Sequence, residues 1–149
     1  MLNVGDKAPD FDLMADHGKQ IRLKDLDQTV VLYFYPKDDT SGCTKEACAF
    51  RDDFSAYGKK NALILGVSLD PVASHQKFKK KYELPFPLLA DDGATVSKAY
   101  GVYKQKSMYG RTYWGIERTT FVISPDHRIK AIFPKVKVDG HSAEILAAL

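Results

Sequence analysis

Thr29-Val30-Val31-Leu32-Tyr33-Phe34-Tyr35 is the stretch on which the architecture turns. Its β-branched, aliphatic and aromatic side chains leave neither face of a strand polar, and such a strand belongs in the middle of a sheet covered on both sides. Pro36 ends it. A second run of the same kind is Ala62-Leu63-Ile64-Leu65-Gly66-Val67. Between the two, Ala47, Phe50, Phe54 and Tyr57 recur at helical spacing, with Lys45, Asp52 and Lys59 on the other side. That pattern predicts one amphipathic helix over residues 43–60. Strand, helix and strand in this order require parallel strands joined by a right-handed crossover.

Outward from this unit, residues 71–82 predict a helix with Pro71 in its first turn, where the missing N–H does no harm. Residues 86–90 form a short strand, and residues 94–100 a short helix ended by Gly101. Towards the amino end, residues 11–14 and 20–23 make a hairpin around Asp16-His17-Gly18. Residues 102–117, rich in aromatics, are taken as a long loop. Residues 118–123 and 128–133 pair through Ser124-Pro125-Asp126-His127, and a last helix covers residues 141–149 with Asp139 as its cap. The order is ββ, βαβαβα, ββα. It predicts an α/β fold, a mixed central sheet with helices on both faces. With no repeat, low-complexity tract or Gly/Ser linker, residues 1–149 make one domain.

Composition narrows the function. Hydrophobic residues at 44% and charged residues at 28% are ordinary globular usage, which sets disorder aside. Lys and Arg number 22 against 19 Asp and Glu, interspersed, so the net charge of +3 makes no case for nucleic acid. Every apolar run is too short to span a bilayer. The start, Met1-Leu2-Asn3-Val4-Gly5-Asp6, lacks the basic and apolar stretches of an export signal, so a cytoplasmic protein is expected. Two cysteines in a reducing compartment point to chemistry rather than to a staple.

Those cysteines lie in Pro36-Lys37-Asp38-Asp39-Thr40-Ser41-Gly42-Cys43-Thr44-Lys45-Glu46-Ala47-Cys48. The segment starts where a central strand ends, the usual place for a ligand site in an open α/β sheet. Thr40 or Ser41 is a natural helix cap, which puts Cys43 in the first turn, where free N–H groups and the helix dipole stabilise a thiolate. Cys43, four residues before Ala47, continues the apolar stripe. Cys48 falls about 140° round the helix on the polar side. A buried cysteine can be mere packing, but a capped helix start with a second thiol nearby favours reactivity. Four residues separate the cysteines, where a thioredoxin-type exchange site has two. His17, His75, His127 and His141 have no metal spacing, and no base for a cysteine hydrolase stands out. Redox attack by an activated thiolate, with the second thiol resolving the product, is what remains.

Pro36-x-x-x-Thr40-x-x-Cys43 resembles the active-site signature of the peroxiredoxins. Residues 40–50 with Cys48 resemble the bacterioferritin comigratory protein (PrxQ) subfamily, as do residues 5–11, 86–102, 113–116 and 118–121. Ser41 departs from the pattern, which has proline there. The resemblance implies a thioredoxin-like fold with an added amino-terminal hairpin, and an antioxidant, thiol-dependent peroxidase acting on hydrogen peroxide and organic hydroperoxides. It implies Cys43 as peroxidatic nucleophile, Thr40 as a hydrogen-bonding group for thiolate and peroxide, Arg118 completing the pocket, and Pro36 shielding it. Cys48 would resolve the sulfenic acid as an intramolecular disulfide, reduced by thioredoxin or a similar dithiol donor. No metal, haem, flavin or selenium cofactor is implied, and neither is a membrane or nucleic-acid partner. The expected assembly is a monomer or a weak homodimer. A protein dithiol–disulfide oxidoreductase and an idle thioredoxin-like binding module are the competing readings.

Other features carry more than one reading. Lys77, Lys79, Lys80 and Lys81 form a solvated helix face or an acidic partner's docking patch. Tyr103, Tyr109, Tyr113 and Trp114 line the pocket, form a partner surface, or pack beneath their loop. Glu46 orients Arg118 or is a first-turn acid favoured by the dipole. His75 reads as a core-facing or capping histidine rather than a base.

Overall fold

The computed structural model describes residues 2–149. Strand β3 (Thr29–Phe34) lies inside a seven-stranded sheet, between β4 (Ala62–Ser68), which is parallel to it, and β8 (Thr119–Ile123), which is antiparallel. The other strands are β1 (Asp12–Ala15), β2 (Gln20–Arg22), β5 (Leu88–Ala90) and β9 (Ile129–Phe133), and the spatial order is β2-β1-β5-β4-β3-β8-β9. The amino-terminal hairpin extends the sheet through an antiparallel contact of β1 with β5.

Alternation along β3 divides the core. Val30, Leu32 and Phe34 enter one apolar cluster with Phe121, Val96 and Tyr100. Val31, Tyr33 and Tyr35 enter the other, with Cys43, Ala47, Phe50, Tyr57, Phe78 and Ile145. The second cluster is roofed by α1 (Ser41–Asp52), α2 (Phe54–Lys59), α3 (Val72–Tyr82) and α5 (His141–Ala148), while α4 (Thr95–Ala99) covers the first. Helices therefore do lie on both faces, four against one.

Three local expectations need correction. The single helix over residues 43–60 is two helices, broken at Asp53 (φ −96°, ψ 7°). Asp is a weak helix former, and at the break its carboxylate accepts a 2.6 Å hydrogen bond from the Ser142 hydroxyl, which ties this corner to α5. The break turns Phe54 outward to 41% exposure, off the expected stripe. Residues 102–117 are not a loop but a two-stranded ribbon, β6 (Tyr103–Met108) and β7 (Arg111–Ile116). Tyr109 (φ 52°) and Gly110 (φ 76°) make its turn, both left-handed, as the tightest hairpins require. Solvent reaches both faces of the ribbon, so the apolar–polar alternation that betrays a strand is missing. Asp139 does not cap α5; Gly140 (φ 74°) holds that position, and the exposed Asp139 carboxylate pairs with Lys45.

Candidate active site

Pairing places the site. Phe34, the last residue of β3, stands opposite Thr119, the first of β8. Arg118 therefore enters beside the carboxyl end of β3, where the chain turns into α1. Its Nη2 donates to Cys43 Sγ at 3.2 Å and its Nη1 to Glu46 Oε1 at 2.6 Å. Gly42 admits this approach, because a Cβ there would stand 3.2 Å from Nη2. The carbonyl of Arg118 accepts from the Val136 N–H at 2.9 Å, which fixes the backbone that carries the guanidinium.

Cys43 is 1% exposed in the first turn of α1, and Cys48 is half-buried five residues on; both are free thiols. Thr40 occupies the N-cap, but its hydroxyl does not cap the helix. It donates instead to the Lys37 carbonyl at 2.9 Å, so the expected hydrogen bond to the Cys43 sulfur is not made in this conformation. Ser41 lies inside the helix rather than capping it. Pro36 is half-buried at the end of β3.

Glu46 lies beyond the first turn of α1 and is 2% exposed, which removes the first-turn-acid reading and leaves the one in which it holds Arg118. Burial outweighs the attraction of Arg118 and pushes its carboxyl up to about 7. Arg118 shows the reverse balance: burial works against its charge, yet Glu46 and Cys43 together hold it above its ordinary value. Glu46 Oε2 and the Tyr33 hydroxyl are buried without hydrogen-bond partners. Burial drives the Tyr33 phenol well up, and the charges of Glu46 and Cys43 add to the effect. The Tyr33 ring crosses β4 at Gly66, where a Cβ would fall 2.8 Å from its hydroxyl.

The loop before α1 is held from below. Asp38 accepts from the Tyr35 hydroxyl (2.6 Å) and the Ser74 hydroxyl (2.8 Å), and its Oδ2 lies 2.7 Å from His75 Nδ1. His75 Nε2 donates to the Leu89 carbonyl at 2.9 Å, so this histidine is core scaffolding, as the sequence suggested. The Asp38–His75 anchor escaped the sequence reading, since 37 positions separate its partners. Among the α3 lysines, Lys79 pairs with Asp16 and Lys81 with Asp39, each at 2.9 Å. The ribbon leaves Tyr109 97% and Trp114 57% exposed, with Trp114 stacked on Tyr103. Among the described residues, no cluster of three or more His, Cys, Asp or Glu is placed to hold a metal ion, and no helix is long and apolar enough to cross a membrane.

Residues 4–132 match the AhpC/TSA family. The chain belongs to that family. Within it, the peroxiredoxin Bcp of Bacillus subtilis is 47% identical over 149 residues, covering 99% of this chain and 95% of the other. A cysteine-to-serine variant of PrxQ from Xylella fastidiosa superposes with a TM-score of 0.93 at 41% identity, over 99% of this chain and 94% of that one. The bacterioferritin comigratory protein of Xanthomonas campestris, solved as trapped intermediate and ligand complexes bearing on its alkyl peroxide reduction, gives 0.88 at 41% identity over 93% and 88%. This AhpC/TSA chain is thus a peroxiredoxin of the Bcp/PrxQ branch, a thiol-dependent peroxidase with the thioredoxin-like fold expected of it.

Proposed function

We propose that Cys43 is the peroxidatic nucleophile and Cys48 the resolving thiol. The Cys43 thiolate attacks the terminal oxygen of a hydroperoxide, and the O–O bond breaks. Sulfur keeps that oxygen as a sulfenic acid, and the departing oxygen leaves with one proton as water or alcohol. The Cys48 thiol then displaces water from the sulfenic acid to form a disulfide, which a dithiol such as thioredoxin reduces. Thiols supply every electron.

The observation that carries this reading is the 3.2 Å contact of Arg118 Nη2 with Cys43 Sγ. A thiolate beside a guanidinium is ionised more readily, and the same cation stabilises charge developing on the leaving oxygen. Ionisation alone is a small gain: a thiol of ordinary acidity is already roughly 3% thiolate at pH 7, so full ionisation adds about thirtyfold. The larger share comes from alignment and charge stabilisation. Thr40 contributes as an acceptor, since its hydrogen is committed to Lys37 while its oxygen keeps lone pairs for the peroxide O–H. Pro36 limits the access of water. Alkyl hydroperoxides as well as hydrogen peroxide are substrates, in keeping with the activity of the Xanthomonas protein. The protein works in the cytoplasm as a monomer or a weak homodimer.

Cys43→Ser tests this directly. Turnover with peroxide and a dithiol should vanish while the unfolding transition stays close to native. Turnover near the native rate in that variant would end the assignment. The mass of the intact native chain after one equivalent of peroxide should fall by two hydrogens, the mark of an internal disulfide. A gain of oxygen would remove Cys48 from the resolving role.

A further inference from the structure

Lysine 106 lies on the ribbon, and it behaves unlike its neighbour Lys104, which reaches outward to Glu117 at 3.4 Å. The side chain of Lys106 turns back across its own hairpin. Its stem passes the bare backbone of Gly115, where a Cβ would stand 3.7 Å from the lysine Cδ. Its ammonium, partly buried, donates to the Ile116 carbonyl, two residues before Arg118. Two main-chain hydrogen bonds hold the following residues: Glu117 N–H to the Val102 carbonyl (2.8 Å) and Val136 N–H to the Arg118 carbonyl (2.9 Å). Lys106 thus ties down the start of the segment that delivers the guanidinium.

Charge gives the position a second meaning. Cys43 and Glu46 are two potential anions on one guanidinium, both buried. We propose that Lys106 is a positioning residue of the peroxidatic site, the second cation of that cluster, which holds the approach of Arg118 and favours the Cys43 thiolate from the ribbon side. Burial and the repulsion of Arg118 lower the Lys106 ammonium, while Glu117 and the Cys43 thiolate work in the opposite direction. The titratable and charged groups gathered around this cluster are Arg118 from just before β8, Glu46 from α1, the neutral Tyr33 phenol from β3 and Lys106 from β6. The proposal deepens the reading of Cys43 as nucleophile and rests on it.

The test is the rate of Cys43 alkylation by iodoacetamide as a function of pH, resolved from Cys48 by peptide mass spectrometry. It is run on the native chain, Lys106→Met, Lys106→Arg and Lys104→Met. With Lys106→Met the alkylation midpoint should move to higher pH by about half a unit, and the rate below the midpoint should fall about threefold. Lys106→Arg, which keeps the charge, should restore the native midpoint, and Lys104→Met should not move it. A native midpoint in Lys106→Met would overturn the proposal. So would equal shifts in Lys106→Met and Lys106→Arg, which mark a packing role, or an equal shift in Lys104→Met, which marks net charge alone. Because alkylation needs no peroxide, this result stands apart from the turnover of Cys43→Ser, on which the nucleophile assignment rests.

Discussion

Glu46 Oε1 and Arg118 Nη1 lie 2.6 Å apart although 72 positions separate them in the chain. The pair joins the first helix to the residue that leads into β8, beside the Cys43 sulfur. Its other carboxylate oxygen, Oε2, has no partner. A buried, half-satisfied carboxyl of this kind has consequences for both stability and reactivity.

Glu46 makes stability depend on pH. Burial raises its carboxyl from 4.5 to about 7, so between those values the folded chain keeps a proton that the unfolded chain has lost. Stability contributed by this group therefore falls as pH rises through that window. Glu46→Gln, which does not ionise, lacks this loss. Relative to native, the variant should gain about 3 kcal/mol between pH 4.5 and 8, at about 1.4 kcal/mol per pH unit. Urea unfolding at the two pH values measures it, and a constant difference between the proteins would contradict the assignment.

Arg118 serves two acceptors with two nitrogens, a task that the single ammonium of lysine does not match. Arg118→Ala should shift Cys43 alkylation to higher pH and slow the peroxide reaction by at least about tenfold. Arg118→Lys should fall between Ala and native. Stopped-flow peroxide consumption together with the alkylation profile decides this. If Arg118→Ala leaves both unchanged, Arg118 has no part in the chemistry.

Asp38 receives two hydroxyls and lies 2.7 Å from the His75 ring in a buried setting, while its own N–H donates to Asp70 at 2.8 Å. Asp38→Ala strands those groups and should cost about 3–5 kcal/mol of stability. The loop from Pro36 to Thr40 should lose its hold on α3, and peroxide reduction should slow as well. A urea midpoint within error of native would show that the anchor contributes nothing.

The proposed resolution by Cys48 requires α1 to open. Five helical residues rise about 7.5 Å, and the angular offset brings the two Cα atoms to between about 8 and 9 Å. A disulfide spans ~7 Å at most. The helix that runs from Ser41 to Asp52 therefore holds the thiols apart, one buried and one half-buried. Amide exchange over residues 40–53 should be faster in the disulfide form than in the reduced form. Equal protection in both would refute the opening step.

How far residue order alone leads is clearest at particular elements. β3 and β4 were legible because burial on both faces writes an unbroken apolar run, and the cysteine segment was legible because strand, turn and helix start are consecutive in the chain. Proximity of Cys43 to the helix amino end is a local fact, and local facts are spelled out in order. The ribbon of β6 and β7 was hidden, since two solvated faces leave no alternation; its one signal was Gly110 followed by the β-prone Thr112-Tyr113-Trp114. The split of α1 from α2 was hidden because the apolar spacing runs on across it, and the Ser142 hydroxyl that holds Asp53 at the corner lies 89 positions away. The use of the Thr40 hydroxyl on Lys37 rather than on Cys43 depended on side-chain directions within one turn. Above all, the charge state of the site followed from long-range packing. Glu46 reads on paper as an ordinary first-turn acid, and only the closure of β8 against β3 brings Arg118 to it and shuts out the water that would have kept its carboxyl in the usual range. Desolvation and pairing are properties of three-dimensional neighbours, which a linear order of residues does not name.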